Sequence, residues 1–278
     1  MCGIFGVVSN RVIDKNKLKK IVDHSKQRGK DSSGLIYIEN DTYQINRADF
    51  EIDKLLANVK PYKSNIVLGH SRLITNGLGD NQPVLRGKIA AIHNGIIINE
   101  DEVWSKLSVK RLLNIDSELI VAIAEEHLRQ NKPLEEIPLE ILSLCKGVIS
   151  CALVLPEHGK LLLFSNNGSL YIGESDGRTY FASESYGLHL INCKNIAQIK
   201  NEFKILDIPN SNLEFNIIDK KSRIENLIPE FKINTAEQSL LLYEIHNIKR
   251  CTKCILPETM PFIKFDSLGV CNYCNNYK

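Results

Sequence analysis

The second residue of this 278-residue chain is a cysteine, standing directly before the apolar, strand-like run Gly3-Ile4-Phe5-Gly6-Val7-Val8. Once Met1 is removed, Cys2 carries a thiol and a free α-amine on one residue. An α-amine titrates near pH ~8 and a thiol near ~8.5, so the amine can take the thiol's proton at neutral pH without a histidine. Nucleophile and general base then share the position at the head of the first strand. The plainer reading is a small buried hydrophobe in that strand.

Composition sets the frame. An apolar fraction of 43% suits a globular domain, and 278 residues suffice for one large domain with a small appendage. A net charge of +2 gives no general pull toward nucleic acid or an anionic membrane. The lysine runs at 15–20 and 220–221 read as solvated faces. No apolar stretch is long enough to span a bilayer, and the N-terminal run lacks the basic lead-in of a signal peptide. A cytoplasmic location is expected.

Periodicity predicts strands over Gly3–Val8, Leu35–Glu39, Tyr43–Asn46, Ile66–His70 and Ile89–His93. Helices are expected over Asp14–Lys26, with Leu18, Ile21, Val22 and Ser25 on one face, over Ser117–Gln130, and over Leu134–Cys145, where Pro138 obscures the start. Strands follow at Ile149–Leu155, Leu161–Ser165, Leu170–Ile172 and Thr179–Ala182, separated by turn signals at Asn166-Asn167-Gly168 and Asp176-Gly177. Residues 205–209 and 213–218 read as a closing hairpin, and Thr235–Ile248 as an amphipathic connecting helix. Pattern alone supports an α+β class.

Four further segments bear on Cys2: Gln27-Arg28-Gly29-Lys30-Asp31-Ser32-Ser33-Gly34, Leu68-Gly69-His70-Ser71-Arg72-Leu73-Ile74-Thr75, His93-Asn94-Gly95-Ile96-Ile97-Ile98-Asn99 and Asp116-Ser117-Glu118-Leu119. With the Cys-Gly-Ile-Phe-Gly start, and in this order, they resemble the glutaminase domain of class II, N-terminal-nucleophile glutamine amidotransferases. That family includes glucosamine-6-phosphate synthase, glutamine phosphoribosylpyrophosphate amidotransferase and asparagine synthetase. The resemblance covers roughly residues 2–220 and implies a four-layer αββα sandwich, with residues 2–222 as the glutaminase domain and 223–248 as a connector. It also implies that L-glutamine is hydrolysed to glutamate and ammonia.

The resemblance makes Cys2 the nucleophile and assigns the oxyanion donors to the Asn94 amide and the Gly95 N–H. On its own, Asn-Gly would read as a type I′ hairpin turn. Glutamine's α-carboxylate calls for a planar guanidinium, and Arg72 stands at that position, with Thr75 as a neighbouring hydroxyl. The α-ammonium calls for a carboxylate, and Asp116 matches it; an aspartate before a helix is equally an N-cap. Arg28 reads as a support beside the nucleophile. The Asp-Ser-Ser-Gly form of its loop is closer to the sugar-phosphate synthases than to asparagine synthetases. Asn81-Gln82-Pro83 and Phe181–Ser185 echo family segments as scaffold.

The eight cysteines are unevenly placed. Cys145, Cys151 and Cys193 lie in apolar sequence and read as buried small hydrophobes. Cys251-Thr252-Lys253-Cys254 and Cys271-Asn272-Tyr273-Cys274 are two Cys-x₂-Cys pairs separated by 16 residues, the spacing of a closed tetrahedral Zn²⁺ site of structural type. A redox role for the pairs is the alternative. So short a segment, 249–278, has too little core to fold without metal.

Arg250–Pro257 and Phe265–Cys274 resemble the opening of the N-acetyl sugar amidotransferases, members of the PP-loop ATP pyrophosphatases active in surface-polysaccharide synthesis. In that family the opening precedes the ATP-binding segment. No glycine-rich phosphate loop occurs in this chain, so no ATP site is expected, and the acceptor of ammonia would be an ATP-dependent synthase domain or subunit. Two alternatives compete. One is the glutaminase of an asparagine synthetase-like or sugar-phosphate-aminating enzyme. The other is a catalytically idle docking module with a zinc knuckle, which retention of Met1 would favour because the Cys2 nitrogen would then be an amide.

Overall fold

The first strand, β1 (Gly3–Val8), is buried at all six positions because strands flank it on both sides and layers cover both faces. The computed structural model describes residues 2–74, 79–208, 214–220 and 248–277. The chain divides into two compact units, Met1–Leu227 and Ile228–Lys278.

The first unit contains two sheets. The eight-stranded sheet holds β1 with β2 (Ser32–Glu39), β3 (Thr42–Ala48), β4 (Ile66–Arg72), β9 (Tyr171–Ser175), β10 (Arg178–Ala182), β11 (Lys194–Gln198) and β13 (Phe215–Lys220). Its order is β11-β9-β10-β1-β4-β2-β3-β13, and β13 runs parallel to β3. The five-stranded sheet holds β5 (Val84–Arg86), β6 (Ile89–Ile97), β7 (Gly147–Leu155), β8 (Lys160–Ser165) and β12 (Glu202–Asp207), in the order β12-β8-β7-β6-β5.

Period-two alternation sorts the strand residues into three cores. Ile4, Ile36, Ile66 and Leu68 of the larger sheet meet Ala90, Ile92, Ala152, Val154, Leu161 and Leu163 of the smaller one between the sheets. Phe5, Val7, Leu35 and Val67 face outward onto α1 (Lys15–Ser25), α2 (Ile52–Val59) and α6 (Ser185–His189). Ala91, Cys151, Leu153 and Phe164 face outward onto α4 (Ser117–Arg129) and α5 (Glu136–Leu144). A short α3 (Glu100–Trp104) follows β6. The unit is therefore the four-layer αββα sandwich that the N-terminal-nucleophile resemblance implies.

Local rules explain several boundaries. Asp14 caps α1, its Oδ1 accepting from the N–H groups of Asn16 and Lys17 at 2.8 and 3.0 Å. Pro138 is tolerated in the first turn of α5, where N–H groups have no helical partner. Asp176 and Gly177, both at positive φ, form the two-residue turn between β9 and β10.

Two expectations need correcting. Residues 202–207 and 215–220 are not a hairpin: β12 pairs with β8 in the smaller sheet and β13 with β3 in the larger. Both sheets need an additional edge strand there, and that demand overrides the local turn signal. The strand expected to end at His93 runs on as β6 to Ile97, so Asn94-Gly95 lies inside it and not in the turn that the dipeptide alone would suggest. The amphipathic helix expected over 235–248 falls, apart from its last residue, outside the described residues.

In the second unit, isolated bridges join Arg250 to Pro257 and Phe265 to Cys271, and a short α7 spans Asn272–Asn276. Cys251 and Cys271 are the buried apolar residues among those described here.

Candidate functional site

Alternation also decides which polar side chains enter the space between the sheets. On β4, Ile66 and Leu68 face inward, so His70 and Arg72 continue that face; on β1, Ile4 faces inward, and so does Cys2 before it. Gly3 pairs with Ser71, which sets Cys2 beside Arg72. On the facing sheet, Ala90 and Ile92 lead to Asn94, and the cross-strand partner of Asn94 is Ser150. Cys2, Arg72 and Asn94, all buried, thus meet at one end of the inter-sheet core.

Cys2 is held at both ends. Its thiol donates to the Leu73 carbonyl at 3.4 Å, and its own carbonyl accepts from Arg28 Nε at 2.8 Å. Arg28 is in turn paired with Glu184, which also bonds His24 at 3.0 Å. Gly29 lets this loop lie against the end of β4, for a Cβ there would come within 2.3 Å of the Arg72 carbonyl carbon. Burial pushes the Cys2 thiol above its ordinary value, with the Leu73 backbone and the Arg72 guanidinium working against the rise. Burial likewise lowers the Arg72 guanidinium, opposed by Cys2, Asp116, Asp80 and Asp31 in that order. Cys2, Arg72 and Asp116 are close enough to feel one another's charge. Arg72 also donates to the Asp80 carbonyl.

The edge of β6 carries the second half of the site. β5 covers β6 only as far as Ala91. Beyond it, the N–H of His93 donates to Gln82 Oε1 at 2.6 Å and the N–H of Ile97 to Asp116 Oδ2 at 3.0 Å. Gly95 lies between them on the same edge. Across β7, Ile149 directs both backbone groups to Asn166, donating to Oδ1 at 2.9 Å and accepting from N–H at 3.0 Å. The Gly95 N–H is therefore turned away from β7 and toward the open edge. Only glycine fits, because a Cβ would lie 1.8 Å from the Val148 carbonyl oxygen.

Asp116 stands at the N-cap position of α4, but its side chain accepts no backbone N–H of the first turn. Its carboxylate instead reaches β6, with Oδ1 accepting from the Ser117 hydroxyl at 3.2 Å. Glu118 receives the N–H groups of Leu112 and Leu113 and pairs with Arg86 at 2.7 Å, which fixes the approach to α4. Arg28, Cys2, Arg72, Asn94, Gly95 and Asp116 are thus brought together, whereas Thr75 lies outside the described residues. Sequence reasoning passed over Gln82 as scaffold and did not single out His70 or Ser150. The only signal for them was polarity at strand positions whose neighbours are apolar.

The four knuckle cysteines also converge, their Sγ atoms all lying within 4.8 Å of one another. Cys251 and Cys274 are 4.0 Å apart, and Cys254 and Cys271 3.5 Å, near the roughly 3.8 Å edge of a tetrahedron with ~2.3 Å Zn–S bonds. Cys251 Sγ accepts from the N–H groups of Lys253, Cys254 and Cys271, and Cys271 Sγ from that of Cys274. Desolvation opposes ionisation of Cys251, but these donors outweigh it and bring the thiol to about 6. The donor set fits a thiolate-loving divalent ion.

Comparison with known proteins agrees with this geometry. Residues 70–189 match the family model described as a glutamine amidotransferase domain. The glutamine–fructose-6-phosphate aminotransferase (isomerizing) of Thermococcus kodakarensis is 31% identical over 199 residues, covering 66% of this chain and 32% of that protein. The Wigglesworthia glossinidia brevipalpis protein of the same name is 31% identical over 227 residues, 77% and 36% of the two chains. The chain thus spans about a third of the length of these relatives. In fold it is similar to the glutamine phosphoribosylpyrophosphate amidotransferase of B. subtilis, with a TM-score of 0.62, 17% identity, and coverage of 77% of this chain and 51% of that one. On sequence and architecture together, the chain carries a glutamine amidotransferase domain of the class II, N-terminal-nucleophile type.

Proposed function

We propose that residues 2–222 hydrolyse L-glutamine to glutamate and ammonia with Cys2 as nucleophile. The observation that carries this reading is the convergence of the Cys2–Arg72 pair of one sheet with the Asn94–Gly95 edge of the other and with Asp116 at the start of α4. With Met1 removed, the α-amine of Cys2 takes the thiol proton as sulfur bonds to the carboxamide carbon. The amine then passes that proton to the departing nitrogen, the C–N bond breaks and ammonia leaves. Water attacks the resulting thioester, releasing glutamate and restoring the thiol. The Asn94 amide and the Gly95 N–H receive the developing oxyanion, each such donor being worth ~10²–10³ in rate. Arg72, with Thr75, receives the α-carboxylate, Asp116 the α-ammonium, and Arg28 holds the Cys2 backbone.

The segment 249–278, joined through 223–248, is a four-cysteine zinc knuckle in this reading, with Cys251, Cys254, Cys271 and Cys274 as ligands. The metal would supply the stability that two buried thiols cannot. Four clustered free thiols suit a reducing, cytoplasmic setting. The wording of the knuckle supports an ATP-dependent N-acetyl sugar amidotransferase of surface-polysaccharide synthesis as acceptor of the ammonia.

Intact mass combined with labelling by 6-diazo-5-oxo-L-norleucine tests the catalytic reading. One adduct is expected on chains lacking Met1, and none on Cys2→Ala. An adduct that persists in Cys2→Ala, or glutaminase activity in that variant, would overturn it.

A further inference from the structure

The open edge of β6 is tied down by two side chains, Gln82 and Asp116. Gln82 is buried, and its amide bonds both backbone groups of His93: Oε1 accepts from the N–H at 2.6 Å and Nε2 donates to the carbonyl at 3.0 Å. This is the pair of bonds that a neighbouring strand would make, supplied by a side chain. The two backbone contacts also fix which end of the amide is nitrogen. Nε2 then donates to the Ser117 hydroxyl at 3.1 Å, and Ser117 donates to Asp116 Oδ1 at 3.2 Å. Asp116 Oδ2 returns to β6 at the N–H of Ile97. A ring of bonds runs from His93 through Gln82, Ser117 and Asp116 to Ile97 and passes over Gly95.

We infer that Gln82 is a positioning residue that replaces the missing strand beside β6 and, through Ser117, sets the separation between the Gly95 N–H and the Asp116 carboxylate. On the glutaminase reading, on which this inference rests, that separation is the one a substrate must span between its side-chain carbonyl and its α-ammonium. The ring therefore selects glutamine over asparagine, which is one methylene shorter.

The test uses the full chain with Met1 removal confirmed by mass, and steady-state release of glutamate from glutamine and of aspartate from asparagine. Gln82→Glu preserves shape and the acceptor for His93 N–H but removes the donor to the His93 carbonyl and Ser117. Its kcat/KM for glutamine should fall about 10- to 100-fold, the range for a buried group that loses its partner, and the preference for glutamine should narrow. The ratio of variant to wild-type kcat/KM should climb as pH falls from 8 to 6, because a buried carboxyl protonates readily and its hydroxyl can donate where Nε2 did. Gln82→Ala should show the loss without the pH trend.

Should Gln82→Glu fail to fold, Ser117→Ala breaks the ring and leaves the Gln82 bonds to the His93 backbone in place, removing besides only the hydroxyl 3.0 Å from His93 Nδ1, and should raise KM and narrow the preference. Wild-type kinetics, preference and pH profile in folded Gln82→Glu, or in Ser117→Ala, overturn the inference. Glutaminase activity surviving in Cys2→Ala would instead remove the reading beneath it.

Discussion

Burial acts in opposite directions on the acids and bases of this site. Burial favours the protonated Cys2 thiol, so proton removal needs a nearby base, the role the proposed reading gives to the α-amine exposed by loss of Met1. His70 is wholly buried between Leu68 and Arg72, and desolvation, with Arg72 and His93 adding to it, lowers its pKa to about 3. Its ordinary value is near ~6.5, so between these limits the unfolded chain binds a proton that the native chain does not. Stability therefore rises with pH across that window and is lost progressively as pH falls below ~6.5, by up to ~1.4 kcal/mol per pH unit. Urea midpoints measured at pH 7.5 and 4.5 should show this loss, and His70→Asn should flatten it. An equal slope in the variant would assign the acid sensitivity to other groups.

At the scale of elements, the site is made by strand ends and by what is allowed to approach them. β4 ends at Arg72, where the Gly29 loop lies on its backbone and Asp31 N–H donates to the Arg72 carbonyl at 3.0 Å. Gly29→Ala would drive a methyl group into backbone atoms at 2.3–2.6 Å, none of which can rotate away. Overpacking of this kind costs about 1–3 kcal/mol. Because the displaced atoms carry Arg72, the expected outcome is a KM for glutamine raised about 10-fold with a smaller change in kcat. Kinetics alongside a thermal melt would check it, and an unchanged KM would detach Arg72 from substrate binding. Strand and helix periodicity made most of these elements legible in advance. Continuation of β6 through Asn94-Gly95 was not, because a dipeptide that favours a turn is overruled once both flanks are paired into a sheet.

For the whole molecule, the two units draw stability from different sources: three apolar cores in the first, clustered thiols in the second. Purified protein should contain about one zinc per chain, measurable by inductively coupled plasma mass spectrometry. Cys271→Ser should lose it and expose 249–277 to protease, with glutaminase kcat changed less than about 2-fold. Retention of the metal by that variant would exclude the four-thiolate site. Among the described residues, no helix is long and apolar enough to cross a membrane. What the sequence determined by itself was whatever depends on local order along the chain: strand and helix periods, the Cys-x₂-Cys spacing, and five motifs whose residue types and succession match one chemistry. Only the tertiary structure decided that the Asp116 side chain reaches β6 rather than the first turn of α4, that Gly95 N–H faces an uncovered edge, and that Gln82 closes the ring around it. Those outcomes depend on register between strands far apart in the chain, and a sequence read locally carries polarity at a position but not the partner placed opposite it.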